Sequence, residues 1–212
     1  MDIFGREQLR AAVLRYVELP GARFLHSLRL TPNSVTLMGF LVCVAASVLA
    51  GGGLLLAAGI VFFAGSALDL MDGALARLTN TVAPFGALLD SVFDRMGEAA
   101  LFLGLVIYGL RADFSDTYHP FFIEDYRLFF ITVTLLALIF SQLVSYLRAR
   151  GEGLGVFTRA GIMTRTERVV LLGIGLISQQ IVWFALVIAV ASCFTLFQRM
   201  FTIRSELNNK GS

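Results

Sequence analysis

Six stretches of the chain are dominated by apolar residues: 35–50, 54–68, 87–110, 128–147, 169–177 and 181–197. A helix crossing a bilayer needs about 20 predominantly apolar residues, so the pattern predicts an all-α integral membrane protein with six transmembrane helices. Gly51-Gly52-Gly53 and Ser178-Gln179-Gln180 mark tight reversals between the first two and the last two runs. The fifth run is short, and its helix is expected to begin before Val169. Ahead of the first run, Leu9, Ala12, Val13, Tyr16 and Val17 recur at helical spacing with arginines between them. This predicts an amino-terminal amphipathic helix, lying in the membrane interface or packed on the rest of the protein. The expected organisation is a juxtamembrane segment over 1–33, a transmembrane domain over 34–204 and a tail over 205–212.

Composition agrees. Of 212 residues, 57% are hydrophobic and 15% charged, and the mean hydropathy is +0.79; a soluble domain normally keeps roughly a quarter of its residues charged. Six spans would consume roughly 120 positions and leave no room for a second soluble domain. A net charge of +2 is too small to suggest nucleic-acid binding. Arg6, Arg10, Arg15, Arg23 and Arg29 stud the first 33 residues and argue against a cleaved leader there. Cys43 and Cys193 sit inside apolar runs and read as small buried hydrophobes.

Arginine placement orients the chain. The amino-terminal segment, the region of Arg77 and Arg95, the loop from Arg148 to Arg168, and the tail with Arg199, Arg204 and Lys210 fall on one side. The two uncharged reversals, and a loop with Asp113, Asp116, Glu124 and Asp125 beside Arg111 and Arg127, fall on the other. Both termini are therefore expected in the cytosol, in the cell membrane of a multi-pass protein.

Against this background four carboxylates stand out. Asp69 and Asp72 are three apart at the end of the second run, and Asp90 and Asp94 four apart at the start of the third. Each pair shares one helix face. Ionisable groups in apolar helices are costly, and converging carboxylates repel unless cations lie between them. Oxygen-only ligands favour Mg²⁺, Mn²⁺ or Ca²⁺, and no His or Cys stands near enough in sequence to suggest zinc. Two such ions bridged by shared carboxylates suit phosphate chemistry. Gly73 and Gly86 either let a diphosphate approach the backbone or merely let helices pack closely. Arg77 offers a planar donor fork for phosphate.

The string Asp69-x-x-Asp72-Gly73-x-x-Ala76-Arg77, then eight residues, then Gly86-x-x-x-Asp90-x-x-x-Asp94, resembles the signature of the CDP-alcohol phosphotransferase family. Its members are six-helix membrane enzymes, usually homodimers. The resemblance covers residues 69–94 and implies Asp69, Asp72 and Asp90 as metal ligands, with Asp94 contacting a second ion and serving as general base. It implies that Gly73 and Arg77 hold the diphosphate of a CDP-lipid such as CDP-diacylglycerol. The segment Thr31-Pro32-Asn33-Ser34-Val35-Thr36 is similar to the one that approaches the nucleotide in that family, so Pro32, Asn33, Ser34 and Val35 are expected there. Related enzymes often carry a hydroxyl residue three before the second motif glycine. This chain has Ala83, so that contact is either lost or made by Thr81.

The acceptor is read from a second basic set. Ser145, Arg148, Arg165, Arg168 and Arg199 flank the fourth, fifth and sixth runs, on the same predicted membrane side as the carboxylates. Guanidinium groups there suit an acceptor that carries a phosphate dianion, although Arg150, Arg159 and Arg204 read as headgroup anchors. The strings SYLRARGEG, RTER and QRM resemble phosphatidylinositol phosphate synthases, which implies that this set binds the phosphate of inositol phosphate. Glycerol 3-phosphate is the competing acceptor, as in a phosphatidylglycerophosphate synthase. An ion transporter or channel is the reading from another class, but it requires polar residues through the bilayer depth, and here the acids stop at one interface.

Overall fold

Each apolar run becomes one helix in the structure, a computed structural model that describes residues 18–114, 125–158 and 160–210. All regular structure among them is helical: α1 (Leu19–Ser27), α2 (Pro32–Gly51), α3 (Leu55–Leu78), α4 (Pro84–Arg111), α5 (Tyr126–Gly153), α6 (Arg165–Ile177) and α7 (Ile181–Lys210). The predicted amphipathic positions Leu9 to Val17, together with Asp116, His119, Glu124 and Arg159, lie outside the described residues.

Among the described residues four helices, α2, α3, α5 and α7, are long and apolar enough to cross a membrane, which makes this a multi-pass membrane protein. The sequence pattern predicts six. The two further predicted spans, α4 and α6, differ from these four in composition or in length. Although α4 has 28 residues, Asp90, Asp94, Arg95 and Glu98 carry charge as far as its midpoint and leave a short uncharged remainder. With 13 residues, α6 rises only about 20 Å against a hydrocarbon core of about 30 Å. As expected, α6 begins before Val169, at Arg165, where Glu167 reaches back to accept from the Thr164 backbone N–H at 3.0 Å.

The chain divides into two units, one formed by 1–45 and 61–98, the other by 46–60 and 99–212. In the first unit, Pro20 sits in the opening turn of α1, where its missing N–H costs nothing. Ala22 and Leu25 on the inner face of α1 pack with Val35, Ala74 and Leu75, bordered by Leu30, Leu68 and Met71. The small residues of α2 are spent inside the chain. A side chain on Gly39 would come within 3.2 Å of the Gly65 carbonyl, and one on Gly97 within 3.2 Å of Cys43 Cβ. Thus Gly39 meets α3 and Cys43 meets α4, the close approach that small residues permit between membrane helices. Cys43 is buried and Cys193, in the other unit, is half-buried; neither takes part in a disulfide among the described residues.

In the second unit, α5 packs along α7, and α6 against α7. Val133, Ala137, Ser141 and Val144 form the buried stripe of α5, spaced by three and four. Ala185, Ile188, Ala189, Ser192 and Thr195 form that of α7. Asp125 caps α5, its Oδ1 accepting from Leu128 N at 3.0 Å. Tyr108, Phe114, Tyr126 and Phe130 meet edge to face or tilted beside that cap.

Candidate metal and nucleotide site

The first unit brings three of the predicted carboxylates together. One oxygen each from Asp69, Asp72 and Asp90 lies within 4.8 Å of the others. The three-residue step on α3 stacks Asp69 and Asp72 on one face, and the start of α4 supplies Asp90. Asp72 is only 5% exposed, whereas Asp69 and Asp90 are half-buried. Unit charges 4.8 Å apart repel by about 3 kcal/mol at an effective dielectric of about 20. Three such pairs would cost on the order of a whole domain's stability. A divalent cation held by hard oxygen donors removes that cost, and the donor set fits Mg²⁺ or Mn²⁺. Asp94 follows Asp90 by one turn on the same face of α4; it is half-buried and stands outside the tight group.

Thr36 on α2 was not singled out for this site by its sequence, yet its hydroxyl lies 2.5 Å from Asp72 Oδ2 and 3.1 Å from the Pro32 carbonyl. With one proton to donate, the hydroxyl serves the carboxylate and fixes its orientation. Glu98, buried at 3% exposure, continues the four-residue spacing of Asp90 and Asp94 and is a further acid on this helix face; that spacing was the signal in the sequence that could have found it.

Beside the carboxylates opens a cavity of about 970 Å³, walled by the α1–α2 turn, the end of α3 and the start of α4. Of the predicted nucleotide contacts, Pro32, Asn33, Gly73, Arg77 and Ala83 line it, as do Asp72 and Asp90. Ser34 and Val35 do not line it. Val35 is fully buried in the hydrophobic cluster, and Ser34 bonds Thr31, hydroxyl to hydroxyl at 2.8 Å. His26, Ser27, Arg29, Thr79 and Phe85 also form the wall; the first three come from a segment whose sequence carries no motif, and Thr79 and Phe85 from the unspecified spacer between Arg77 and Gly86.

The glycines can now be told apart. A Cβ on Gly65 would sit 2.9 Å from Cys43 Sγ and 3.0 Å from the Gly39 carbonyl, so Gly65 is required for packing. A Cβ on Gly73 would meet only Arg77 Nη1 at 3.5 Å, and one on Gly86 only Asn33 Oδ1 at 3.5 Å. Neither is forced by the neighbouring helices. What a side chain at these positions would take up is cavity space, the footprint expected for a ligand that approaches the backbone. Arg77 lies over Gly73 through Nη1 while its Nη2 pairs with Glu18 at 3.2 Å. At the departure from the family pattern, Ala83 and Thr81 both line the cavity. Thr79 donates to the Leu75 carbonyl at 2.8 Å, so across the 2.7 Å Thr79–Thr81 contact it is Thr81 that donates. The single proton of Thr81 is therefore committed within the chain.

The predicted acceptor residues belong to the second unit. Arg168 is 1% exposed, and its Nη2 donates to Ser145 Oγ at 3.2 Å. Arg199, 3% exposed, donates from Nη1 to the Val144 carbonyl at 2.7 Å and from Nε to the Ala160 carbonyl at 2.9 Å. It lies under Gly161, whose φ of 122° favours glycine. Arg148 is exposed and pairs with Glu152 at 3.0 Å. Arg148 and Arg168 both lie close enough to act electrostatically on Arg199, with Glu152 and Glu167 opposing them. Arg165 is half-buried in the first turn of α6. Burying Arg168 and Arg199 near one another is costly, and an anion that joins them lowers that cost.

The family model described as CDP-alcohol phosphatidyltransferase matches residues 29–197. An archaetidylinositol phosphate synthase of Pyrococcus horikoshii is 35% identical over 202 residues, covering 94% of this chain and 97% of the relative. The crystal structure of Mycobacterium tuberculosis phosphatidylinositol phosphate synthase with CDP-DAG bound superposes with a TM-score of 0.75 at 30% identity, covering 88% of this chain and 93% of that one. A second structure of that enzyme, in complex with manganese and citrate, has the same TM-score and identity and covers 88% of each chain.

Proposed function

Because this chain belongs to the CDP-alcohol phosphatidyltransferase family, we propose that it transfers the phosphatidyl group of CDP-diacylglycerol, or the equivalent of a related CDP-lipid, to inositol phosphate with release of CMP. The observation that carries this reading is the three-carboxylate cluster opening into a cavity whose Gly73 and Gly86 are not required by packing. The shared inositol phosphate in the relatives' names supports the acceptor, as does the gathering of Ser145, Arg148, Arg168 and Arg199. Bound manganese in a similar protein supports a divalent cofactor.

In this proposal Asp69, Asp72, Asp90 and Asp94 hold two divalent cations, Mg²⁺ or Mn²⁺, which would neutralise the diphosphate and stabilise the departing phosphate oxygen. Thr36 keeps Asp72 in its ligating orientation. Arg77 and the bare backbone at Gly73 receive the diphosphate, and Pro32 and Asn33 receive the nucleoside. Arg168, Arg199, Arg148, Arg165 and Ser145 hold the acceptor's phosphate and so orient its hydroxyl. Asp94 takes the hydroxyl proton as the oxygen bonds to the phosphorus nearer the lipid. The bond from that phosphorus to the CMP oxygen breaks, and CMP leaves with the electron pair.

The finer topology is proposed with it. We take α2 to α7 as six crossings in the cytoplasmic membrane, with α4 and α6 included because protein around a charged or short helix can replace the lipid that length and apolarity alone would require; an interfacial amphipathic helix precedes them, with both termini and the site on the cytosolic side and a homodimeric assembly. The arginine distribution supports this arrangement. Cysteine-accessibility labelling at both termini, and light scattering in detergent, check orientation and assembly.

The deciding experiment incubates purified protein, Mn²⁺ and CDP-diacylglycerol separately with inositol phosphate, glycerol 3-phosphate and unphosphorylated inositol, and measures CMP. Release with inositol phosphate alone is expected. Release with glycerol 3-phosphate instead would transfer the assignment to a phosphatidylglycerophosphate synthase. No release with any acceptor, but cation flux in proteoliposomes, would replace the enzyme with a transporter.

A further inference from the structure

Helix α1 ends in a Schellman motif, in which Arg29 N bonds the His26 carbonyl at 2.9 Å and Leu30 N bonds the Leu25 carbonyl at 3.2 Å. Leu30 closes the motif by packing against the cluster that contains Leu25. The residue after the cap must adopt a left-handed conformation, and glycine is favoured there because it has no Cβ to clash. Elsewhere the chain follows that preference: the same 6→1 and 5→2 bonding places Gly53 after α2, with φ 84°, and Gly155 after α5, with φ 75°. Asn80, the usual second choice, ends α3. At α1 the position holds arginine, with φ 59°. Gln179, after α6, is the other departure among the described residues, and of these five positions Arg29 alone lines the cavity.

Left-handed backbone at a residue with a long side chain is unfavourable and persists where something else gains from that side chain. Packing is not the gain here. Arg29 is exposed, and among the described residues its side chain makes no hydrogen bond or ion pair. The other arginine of the cavity wall, Arg77, already gives Nη2 to Glu18. Among the described residues the cavity thus contains one guanidinium with all five donors available, on the α1–α2 turn, in a wall that also includes Gly73, Arg77, Asp72 and Asp90.

We propose that Arg29 is a ligand for the anionic diphosphate of the nucleotide-bearing donor, placed there at the expense of helix-cap stability. The proposal rests on reading the cavity as the nucleotide site. Planar guanidinium forks recognise phosphate oxygens bidentately, and a fork on the α1–α2 turn reaches the ligand from a segment outside the Asp-x-x-Asp motif. Its origin in a turn rather than in a motif explains why the sequence does not announce it.

The test uses the full chain in neutral detergent, with CDP and Mn²⁺ as the titrant in calorimetry and thermal melting on the same samples. R29G removes the side chain and relieves the backbone together. It is expected to melt about 2–4 °C higher than the unaltered protein while binding CDP about tenfold more weakly, a difference of about 1.4 kcal/mol. R29K, which keeps the charge but loses the fork, should recover part of the affinity. Greater thermal stability with lost affinity cannot come from damaged folding. Unchanged CDP affinity in R29G would overturn the proposal and leave Arg29 as an anchor for lipid headgroups. Failure of the unaltered protein to bind CDP would instead overturn the nucleotide reading of the cavity itself.

Discussion

Gly73 and Gly65 lie on the same helix, α3, and the same substitution should move the protein in opposite directions at the two sites. In G73A the new methyl meets only the flexible end of Arg77, at 3.5 Å. Replacing a helix-interior glycine by alanine favours the helix by about 0.8–1.0 kcal/mol, so the variant should melt about 2–4 °C higher in detergent. The methyl group would also occupy the strip of cavity where the donor diphosphate meets the backbone. Overfilling a fitted site costs about 1–3 kcal/mol, which corresponds to kcat/KM lower by about 5- to 150-fold. In G65A the Cβ would lie 2.9 Å from Cys43 Sγ and 3.0 Å from the Gly39 carbonyl. Backbone cannot yield as a side-chain tip can, so that variant should lose about 1–3 kcal/mol of stability. Paired scanning fluorimetry and CMP-release assays read both quantities. If G73A kept full kcat/KM, or if it lost stability as G65A does, Gly73 would be a packing residue and the ligand footprint argued from it would be wrong.

Other perturbations separate the remaining roles. D94N should leave Mn²⁺-supported CDP binding within about threefold of normal while turnover falls by about 10²-fold or more; near-normal CMP release would remove the base assignment. T36V deletes the hydroxyl that orients Asp72, and is expected to raise the Mn²⁺ concentration needed for half-maximal activity by about 10-fold, as outer partners of metal ligands do; an unchanged Mn²⁺ requirement would make that bond incidental. R168A should raise KM for inositol phosphate with CDP affinity preserved, and a loss confined to CDP binding would refute the acceptor pocket. R199A removes the two hydrogen bonds that its guanidinium gives to the Val144 and Ala160 carbonyls, so a loss of about 1–3 kcal/mol in stability should accompany its kinetic defect; full stability in melting experiments would show that those contacts are dispensable.

Much of this protein is written in one dimension. The bilayer demands long apolar helices whatever their neighbours, so every run in the sequence became a helix, including one that starts before Val169 as its short apolar stretch required. The spacing of Asp69 to Asp72 and of Asp90 to Asp94 puts each pair on one face because helical periodicity is local. Convergence is not local. That Asp90 rather than Asp94 completes the tight group, that Thr36 orients Asp72, and that Glu18 and Gly73 share the two ends of Arg77 depend on how separate helices meet. The same holds for Val35, whose place in a nucleotide-like segment of the sequence gave way to a fully buried place in the core. Glycine shows the division most clearly: the letter is identical at positions 39, 65, 73 and 86, and only the atoms that a Cβ would meet separate the packing glycines from those that border the cavity. Sequence carries periodicity and charge, which act over a turn or two of helix; the distances between side chains on different helices arise only when the chain packs.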